Sequence, residues 1–410
     1  MTDFFDDLET RTGDEREAAL MALLAEQVTF AKGNAPYFTE LFADADTADV
    51  STREALARLP LTRKSSLMER QKKEYPFGGM TAQASGAMKR IFQSPGPIYE
   101  PQGTAENFFR MARGLYAGGV RAGDLIHNTF SYHLTPGGFV MDSGARALDC
   151  AVIPAGVGNT EQQLDVISDL KPVCYAGTPS FLKILMEKAQ AAGKDISSFK
   201  KAVISGEYFP PPLRDEWAAD GLMAYQCYAS ADLGLIAYES EALEGMIVDE
   251  GVIVEIVRPG TGDVLPVGEV GEVVVTLFSK EYPLVRFATG DLSAVMTGTS
   301  PCGRTNMRIK GWMGRADQTT KIKGMFVHPE QIAQVVARHK EIIRGRLVVE
   351  TIDDRDSMTF SCEVNEEGEA LFSAISETLQ SVCKMKGVVA FVRPETLAND
   401  GLVIEDKRSY

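Results

Sequence analysis

The sequence predicts an α/β fold: a large N-terminal body with layered βαβ sheets and a β subdomain, followed by a small C-terminal α+β domain. Three observations predict it. Short apolar runs alternate with helical stretches between Asp124 and Cys227. From Gly251 the pattern turns to apolar–polar alternation broken by Gly and Pro. After Asp317, helix and strand patterns mix in a compact tail. A chain of 410 residues is long for one domain, and the cut is placed between residues 316 and 317.

Residues 1–75 read as loosely amphipathic helix, with Leu20, Leu23, Leu24 and Val28 at helical spacing. Alternation follows. Strands are expected at Asp124–Phe130, Cys150–Pro154, Val173–Ala176, Ala202–Ser205 and Met223–Cys227. Helices are expected at Gly137–Leu148, Thr160–Leu170, Pro179–Ala192 and Pro211–Ala219. Short apolar strands between helices imply a mainly parallel sheet buried on both faces. Ligands in such folds sit beyond the carboxyl ends of the strands. The later strands are VIVEIV, EVGEVVVTLF, PLVRF and DLSAVM, with turns at RPGTGD and PVGEVGE. In the tail, helices are expected near Glu330–His339 and Ala370–Cys383. Strands are expected at Arg346–Thr351, Met358–Val364 and Val388–Val392.

Composition narrows the function. Hydrophobic content of 44% and charged content of 24% are ordinary for a globular protein. A net charge of −15 argues against nucleic acid or an anionic membrane as partner. No apolar run is long enough for a membrane span, and the acidic start MTDFFDDLETRTGDE lacks the layout of a signal peptide. Six scattered Cys argue against a disulfide framework or zinc site and suggest a reducing cytoplasm. Cys302, in SPCGRT, could ligate a metal only with partners from elsewhere.

The most informative stretch runs from Arg286 to Ile332. A Thr-Gly-Asp turn closes the strand-like run PLVRFATGD. Gly314-Arg315-Ala316-Asp317 and Lys321-Ile322-Lys323-Gly324 follow, then a helix opening at Pro329-Glu330. This set suits the grip on a nucleotide sugar. A carboxylate can accept from two ribose hydroxyls at once, and an Arg can pair with the neighbouring phosphate. A β-turn followed by a salt-bridged hairpin would use the same residues.

Here the chain resembles the adenylate-forming (AMP-dependent synthetase/ligase) enzymes, and specifically their phenylacetate–coenzyme A ligase branch. That branch carries Y-R-T-G-D, then R-x-K-G-R-A-D-D, then I-(K/R)-G-x-x-V-x-P. Tyr175-Ala176-Gly177-Thr178-Pro179-Ser180-Phe181-Leu182 is similar to its GTPSYL segment, and Ile204-Ser205-Gly206-Glu207 to its G-A-E adenine segment. Tyr225-Gln226-Cys227-Tyr228-Ala229-Ser230-Ala231-Asp232 stands in the place of Y-D-x-Y-G-x-(S/T)-E. The resemblance runs from about Leu59 to the C-terminus.

The resemblance implies a two-step ligase using ATP, Mg²⁺ and coenzyme A. A carboxylate attacks the α-phosphate of ATP, giving acyl-adenylate and pyrophosphate; a thiol then displaces AMP. Asp291 would hold the ribose, and Arg315 the ribose and phosphate side. Gly206 and Glu207 would lie along the adenine with Tyr228 stacked on it. Ser230 and Lys323 would join the nucleotide contacts. Asp232 would be the Mg²⁺ ligand; its other reading is a helix N-cap before LGLIAYE. Residues from 317 would form a mobile lid hinged at Asp317. The acid would be aromatic or arylacetic, with Tyr132, His133, Gly137, Gly138, Ala176 and Gly177 as pocket candidates. His133 reads equally well as an ordinary core or surface histidine.

Three places depart from the branch. Its phosphate loop is a Ser/Thr/Gly run ending in Lys-Pro. The corresponding place here reads Phe92-Gln93-Ser94-Pro95-Gly96-Pro97-Ile98-Tyr99-Glu100-Pro101. Ser94 and Gly96 alone remain; Pro95 and Pro97 lack an N–H, no Lys follows, and Glu100 has the wrong sign. Ala231 replaces the hydroxyl residue before the metal carboxylate. Leu402 sits where the branch has the lysine that bridges acid and α-phosphate. Lys407, five residues on, is the remaining catalytic candidate, although an odd step along a strand faces the other way. A weak or non-catalytic nucleotide-binding homologue and an amide-forming ligase therefore stay open, as does a homodimer.

Overall fold

The structure, a computed structural model, describes residues 4–94, 98–316, 318, 320–322, 325–352 and 355–408. The chain forms two compact units. One comprises Met1–Val254, Val275–Phe287 and Met296–Trp312; the other comprises Glu255–Val274, Ala288–Val295 and Met313–Tyr410.

The first unit opens on the helix Gly13–Asn34, started by a capping box between Thr12 and Glu15. Its sheet carries five parallel strands in the order Ala151–Pro154, Leu125–Asn128, Cys174–Gly177, Lys201–Ile204 and Met223–Ser230. Gly234–Tyr238 and Met246–Val248 continue it antiparallel. Alternation along each strand divides the core. Cys174, Ala176 and Val203 join one apolar cluster with Leu115, Val140 and Met141. Tyr175, Ala202 and Ile204 join another with Leu182, Leu185 and Trp217. The helices Thr160–Leu170, Pro179–Ala192 and Pro211–Ala219 match the sequence reading. Thr178 and Pro179 explain one of these starts: the Thr178 hydroxyl accepts from Phe181 N–H, and Pro179 needs no N–H partner there.

In the second unit, Ile342–Ile352 and Arg355–Val364 pair antiparallel. Val388–Val392 adds in parallel on one side and Ile404–Asp406 on the other. The helices Pro329–Arg338 and Glu369–Cys383 contribute Ile332, Val335, Ile375 and Leu379 to a core with Leu347 and Phe360.

Four sequence expectations are corrected. PLVRF is not a strand: Pro283 lacks a donor and Arg286 is left-handed at φ 47°. Thr289-Gly290-Asp291 is not a terminal turn but lies inside the strand Phe287–Met296, where Gly290 at φ 77° supplies a local kink. LGLIAYE forms the strand Gly234–Tyr238 rather than a helix, so Asp232 is no helix cap. The segment expected to be the phosphate loop is, over its described residues, an unforeseen pair of strands, Arg90–Ser94 with Ile98–Gln102.

Candidate active site

In the first unit the hairpin orders the site. Phe92 pairs with Glu100 and Ser94 with Ile98, so Phe92, Ser94 and Glu100 share one face. Glu100 is fully buried. Its carboxylate accepts from the Ser94 amide at 3.2 Å and from the Ser94 hydroxyl. Beside it lies Asp232, whose Oδ2 accepts from Lys64 Nζ at 2.7 Å. Burial first, and then the Asp232 charge, push the Glu100 carboxyl up to about 8. Tyr282 is buried; burial first, and then the Asp232 and Glu100 charges, raise its hydroxyl well above its usual value. Ser230 Oγ accepts from Leu233 N–H at 3.2 Å.

Lys64, Glu100 and Tyr282 are absent from the sequence-based candidate set. Lys64 and Asp232 are 168 positions apart, so no local spacing announces them. A cation from far upstream in the chain thus stands at Asp232.

The predicted acid-pocket residues separate. Asn128, fully buried, donates to Tyr132 Oη at 2.7 Å and to the Gly138 carbonyl at 2.9 Å. The Tyr132 ring meets Phe139 edge-on at 5.0 Å, and Phe92 meets Phe139 at 5.5 Å. A Cβ on Gly138 would stand 2.8 Å from the Tyr132 ring, so only glycine leaves that ring its place. Gly137 lies near Phe130, and a Cβ there would sit at ordinary contact distance. Ala176 is buried with its carbonyl accepting from Thr129 N–H at 2.8 Å. Gly177 is hemmed in: a Cβ would meet Thr129 Oγ1 at 2.1 Å. His133 is exposed, its amide donating to Ser131 Oγ at 3.2 Å.

The adenine candidates follow the strand ends. Gly206 adopts φ 81°, a conformation that favours glycine. Glu207 accepts from Ser180 Oγ at 2.9 Å, and its carbonyl accepts from Gln226 Nε2 at 3.0 Å. Tyr228 pairs with Ala237 across the sheet and is half-buried.

In the second unit, Asp291 and Arg315 come together as a β-bridge and an ion pair of 2.8 Å. A Cβ on Gly290 would stand 2.7 Å from Arg315 Nη2, which ties this glycine to the arginine. Leu402 lines a cavity of about 210 Å³ with Arg258, Leu265 and Arg344. Lys407 lies outside that lining; it pairs with Glu405 at 3.7 Å and Glu350 at 3.8 Å. Gly96, Asp317 and Lys323 lie outside the described residues.

The comparisons with known proteins agree with this architecture. The AMP-binding enzyme family matches residues 144–277. The phenylacetate-coenzyme A ligase of Thermus thermophilus is 30% identical over 378 residues, covering 88% of this chain and 84% of that relative. The phenylacetate-coenzyme A ligase of Pseudomonas putida is 31% identical over 356 residues, covering 82% and 79%. A solved structure of 2-hydroxyisobutyryl-CoA ligase, in an open conformation with 2-HIB-AMP and CoA, has the same fold. Its TM-score is 0.72 at 24% identity, covering 95% of this chain and 91% of that one. The same ligase in its postadenylation state gives 0.72 at 23% identity, with 98% and 91% covered. With a parallel sheet carrying nucleotide-type motifs at its strand ends, and with relatives aligned along most of its length, the chain belongs to the phenylacetate–coenzyme A ligase family of AMP-binding enzymes.

Proposed function

We propose that this protein activates an aryl or arylacetic acid with ATP and passes the acyl group from AMP to coenzyme A. The observation that carries the reading is the shared face of the Arg90–Gln102 hairpin. Phe92 on that face packs into the Phe139–Tyr132 aromatic cluster, while Ser94 and Glu100 on the same face border Asp232 and Lys64. One face of the hairpin thus joins an aromatic slot to a polar cluster able to manage phosphate charge. The relatives named for phenylacetate support an aromatic acid.

Each residue then has a task. Phe92, Tyr132 and Phe139 hold the ring, with Asn128 fixing the Tyr132 hydroxyl. Orienting the carboxylate toward the α-phosphate converts a bimolecular attack into a positioned one. Lys64 offers a cation near the phosphate end. Tyr228, Gly206 and Glu207 take the adenine. Asp291 takes the ribose, and Arg315 the ribose and phosphate side. Residues 317–410 act as the lid. Asp232 fits Mg²⁺ because its Oδ1 is buried and carries no hydrogen-bond partner. Mg²⁺ bound there would neutralise charge on the phosphates. No step here depends on Lys407.

The test uses acids of matched size. Pyrophosphate release should be faster with arylacetic than with alkyl acids, and Phe139→Ala should raise KM for the aryl acid by ~10-fold through lost ring contact. Equal rates for aryl and alkyl acids, unmoved by Phe139→Ala, would refute the aromatic slot.

A further inference from the structure

The turn that carries Asp232 is held from outside its own strands. Asp232 lies in the turn 231–233 between the strands Met223–Ser230 and Gly234–Tyr238. Within the turn, Ser230 pairs with Gly234, and Ser230 Oγ accepts from Leu233 N–H at 3.2 Å. From outside, residues 109 and 110 grip the chain that follows Asp232. The Phe109 carbonyl accepts from Leu235 N–H at 2.9 Å. Arg110 Nη2 donates to the Leu233 carbonyl at 2.6 Å and to the Leu235 carbonyl at 2.8 Å, so one nitrogen bridges the residues on either side of Gly234. Arg110 Nε donates to the buried Asp249 Oδ2 at 2.7 Å, which fixes the plane of the guanidinium. The backbone is bent to allow this. Arg110 is left-handed at φ 58°, a conformation that a residue with a side chain keeps only under constraint. It makes no side-chain cap on the helix Met111–Ala117 that follows, so capping does not account for that conformation. Gly234 is left-handed at φ 68°, and a Cβ there would stand 2.5 Å from the Phe109 carbonyl oxygen.

We propose that Arg110 is a positioning residue for acyl-adenylate formation: its guanidinium sets the turn that presents the Asp232 carboxylate to the phosphate end of the nucleotide. The inference rests on the reading of Asp232 as a phosphate-handling carboxylate, and adds the residue that holds its backbone in place. The Asp232 side chain meets Lys64, whose own side chain is 29% exposed, so that contact is a weak guide to position. The main chain on the far side of the turn is tied at Leu233 and Leu235 instead. A displacement of about 1 Å at a reacting centre costs on the order of 10²-fold in rate. The fork of an arginine reaches two carbonyls and a carboxylate at once, which the single ammonium of a lysine does not reproduce.

The experiment compares the two half-reactions in full-length variants. Arg110→Gly removes the guanidinium yet suits the left-handed backbone, and Asp249 keeps Arg113 at 3.2 Å. Acid-dependent pyrophosphate release should fall ~10–100-fold in kcat. Thioester formation from supplied acyl-adenylate should stay within about twofold of the parent. Arg110→Lys should recover the urea midpoint through Asp249 but not the rate of pyrophosphate release. In an Asp232→Asn background, Arg110→Gly should slow that release by less than about threefold more, because both act through one carboxylate. The Leu235 amide needs no substrate to report: its hydrogen exchange should quicken at least ~10-fold in Arg110→Gly. If Arg110→Gly does not fold, Gly251→Ala disturbs the same arm, since its Cβ would stand 2.6 Å from Arg110 Cδ, and it should move every readout in the same direction. Parent-like Leu235 protection, equal loss of both half-reactions, or a rate that returns together with stability in Arg110→Lys would each overturn the proposal. Asp232→Asn slow beside Arg110→Gly at the parent's rate would overturn it alone. Asp232→Asn at the parent's rate would overturn the reading of Asp232 and the proposal with it.

Discussion

Two carboxylates of this protein hold a basic partner at nearly the same distance and live in different solvents. Asp232 meets Lys64 at 2.7 Å with side-chain exposures of 0% and 29%. Asp291 meets Arg315 at 2.8 Å with exposures of 17% and 55%. The contact geometry is alike, but the cost of breaking it is not. A buried carboxylate stripped of its cation faces a large desolvation penalty, whereas an exposed arginine exchanges its partner for water or ligand at little cost. On the proposed reading, the first pair gives way to another cation and the second opens for a sugar and a phosphate.

The largest effect should follow from Asp232→Ala. Removing the carboxylate takes from Lys64 its 2.7 Å partner and takes away the proposed metal ligand. We expect adenylation to fall by ~10²–10³-fold. Stability should fall by about 2–3 kcal/mol, discounted from a fully buried pair because Lys64 is partly exposed. Stopped pyrophosphate assays and urea midpoints read both. A variant as stable as the parent would erase the contrast with Asp291.

Asp291→Ala should behave in the opposite way. Nucleotide affinity should drop at least ~10-fold while stability changes by under about 1 kcal/mol. Calorimetric AMP binding within about threefold of the parent would remove Asp291 from the ribose. Comparable to this is Leu402→Lys, which restores a cation at the lid position of the family's lysine. Pyrophosphate release should rise by at least ~10-fold, a small part of what such groups supply. Thioester formation from supplied acyl-adenylate should change little.

A smaller effect sharpens the buried side. Glu100 is raised to about 8 in the folded chain against an ordinary value of 4.5. The folded state therefore binds a proton that the unfolded state releases. Its contribution to stability is full below about 4.5 and is lost as pH climbs through about 8. In metal-free protein, Glu100→Gln should gain on the parent in thermal unfolding as pH rises across that window. A pH-independent difference would contradict the assignment. The smallest effect is expected of Lys407→Ala, whose exposed partners stand at 3.7 and 3.8 Å. Under about 0.5 kcal/mol and under a twofold change in adenylation are expected; a larger rate loss would return Lys407 to the mechanism.

The same contrast marks what was legible in the sequence. Asp291 and Arg315 were readable because Thr-Gly-Asp and Gly-Arg-Ala-Asp are short motifs, and the fold needed only one β-bridge to join them. The helices Pro179–Ala192 and Pro211–Ala219 were readable from a Pro start and helical spacing. The buried cluster was not. Lys64 reaches Asp232 through tertiary packing alone, and Glu100 gains meaning only when the hairpin turns it inward beside Phe92. Strand ends failed where backbone exceptions ruled: the left-handed Arg286 ended an apolar run that alternation would have extended, and Gly290 kinked a strand without ending it.

The central claim is that one chain makes an acyl-adenylate and hands its acyl group to a thiol. It is tested most directly by pyrophosphate release across a panel of carboxylic acids, with and without coenzyme A, and with the product identified by mass. Acid-dependent pyrophosphate, strongest with an aryl or arylacetic acid, and a coenzyme A thioester only when coenzyme A is present, is the predicted result. AMP binding without acid-dependent pyrophosphate from any acid would contradict it and leave a nucleotide-binding homologue in its place.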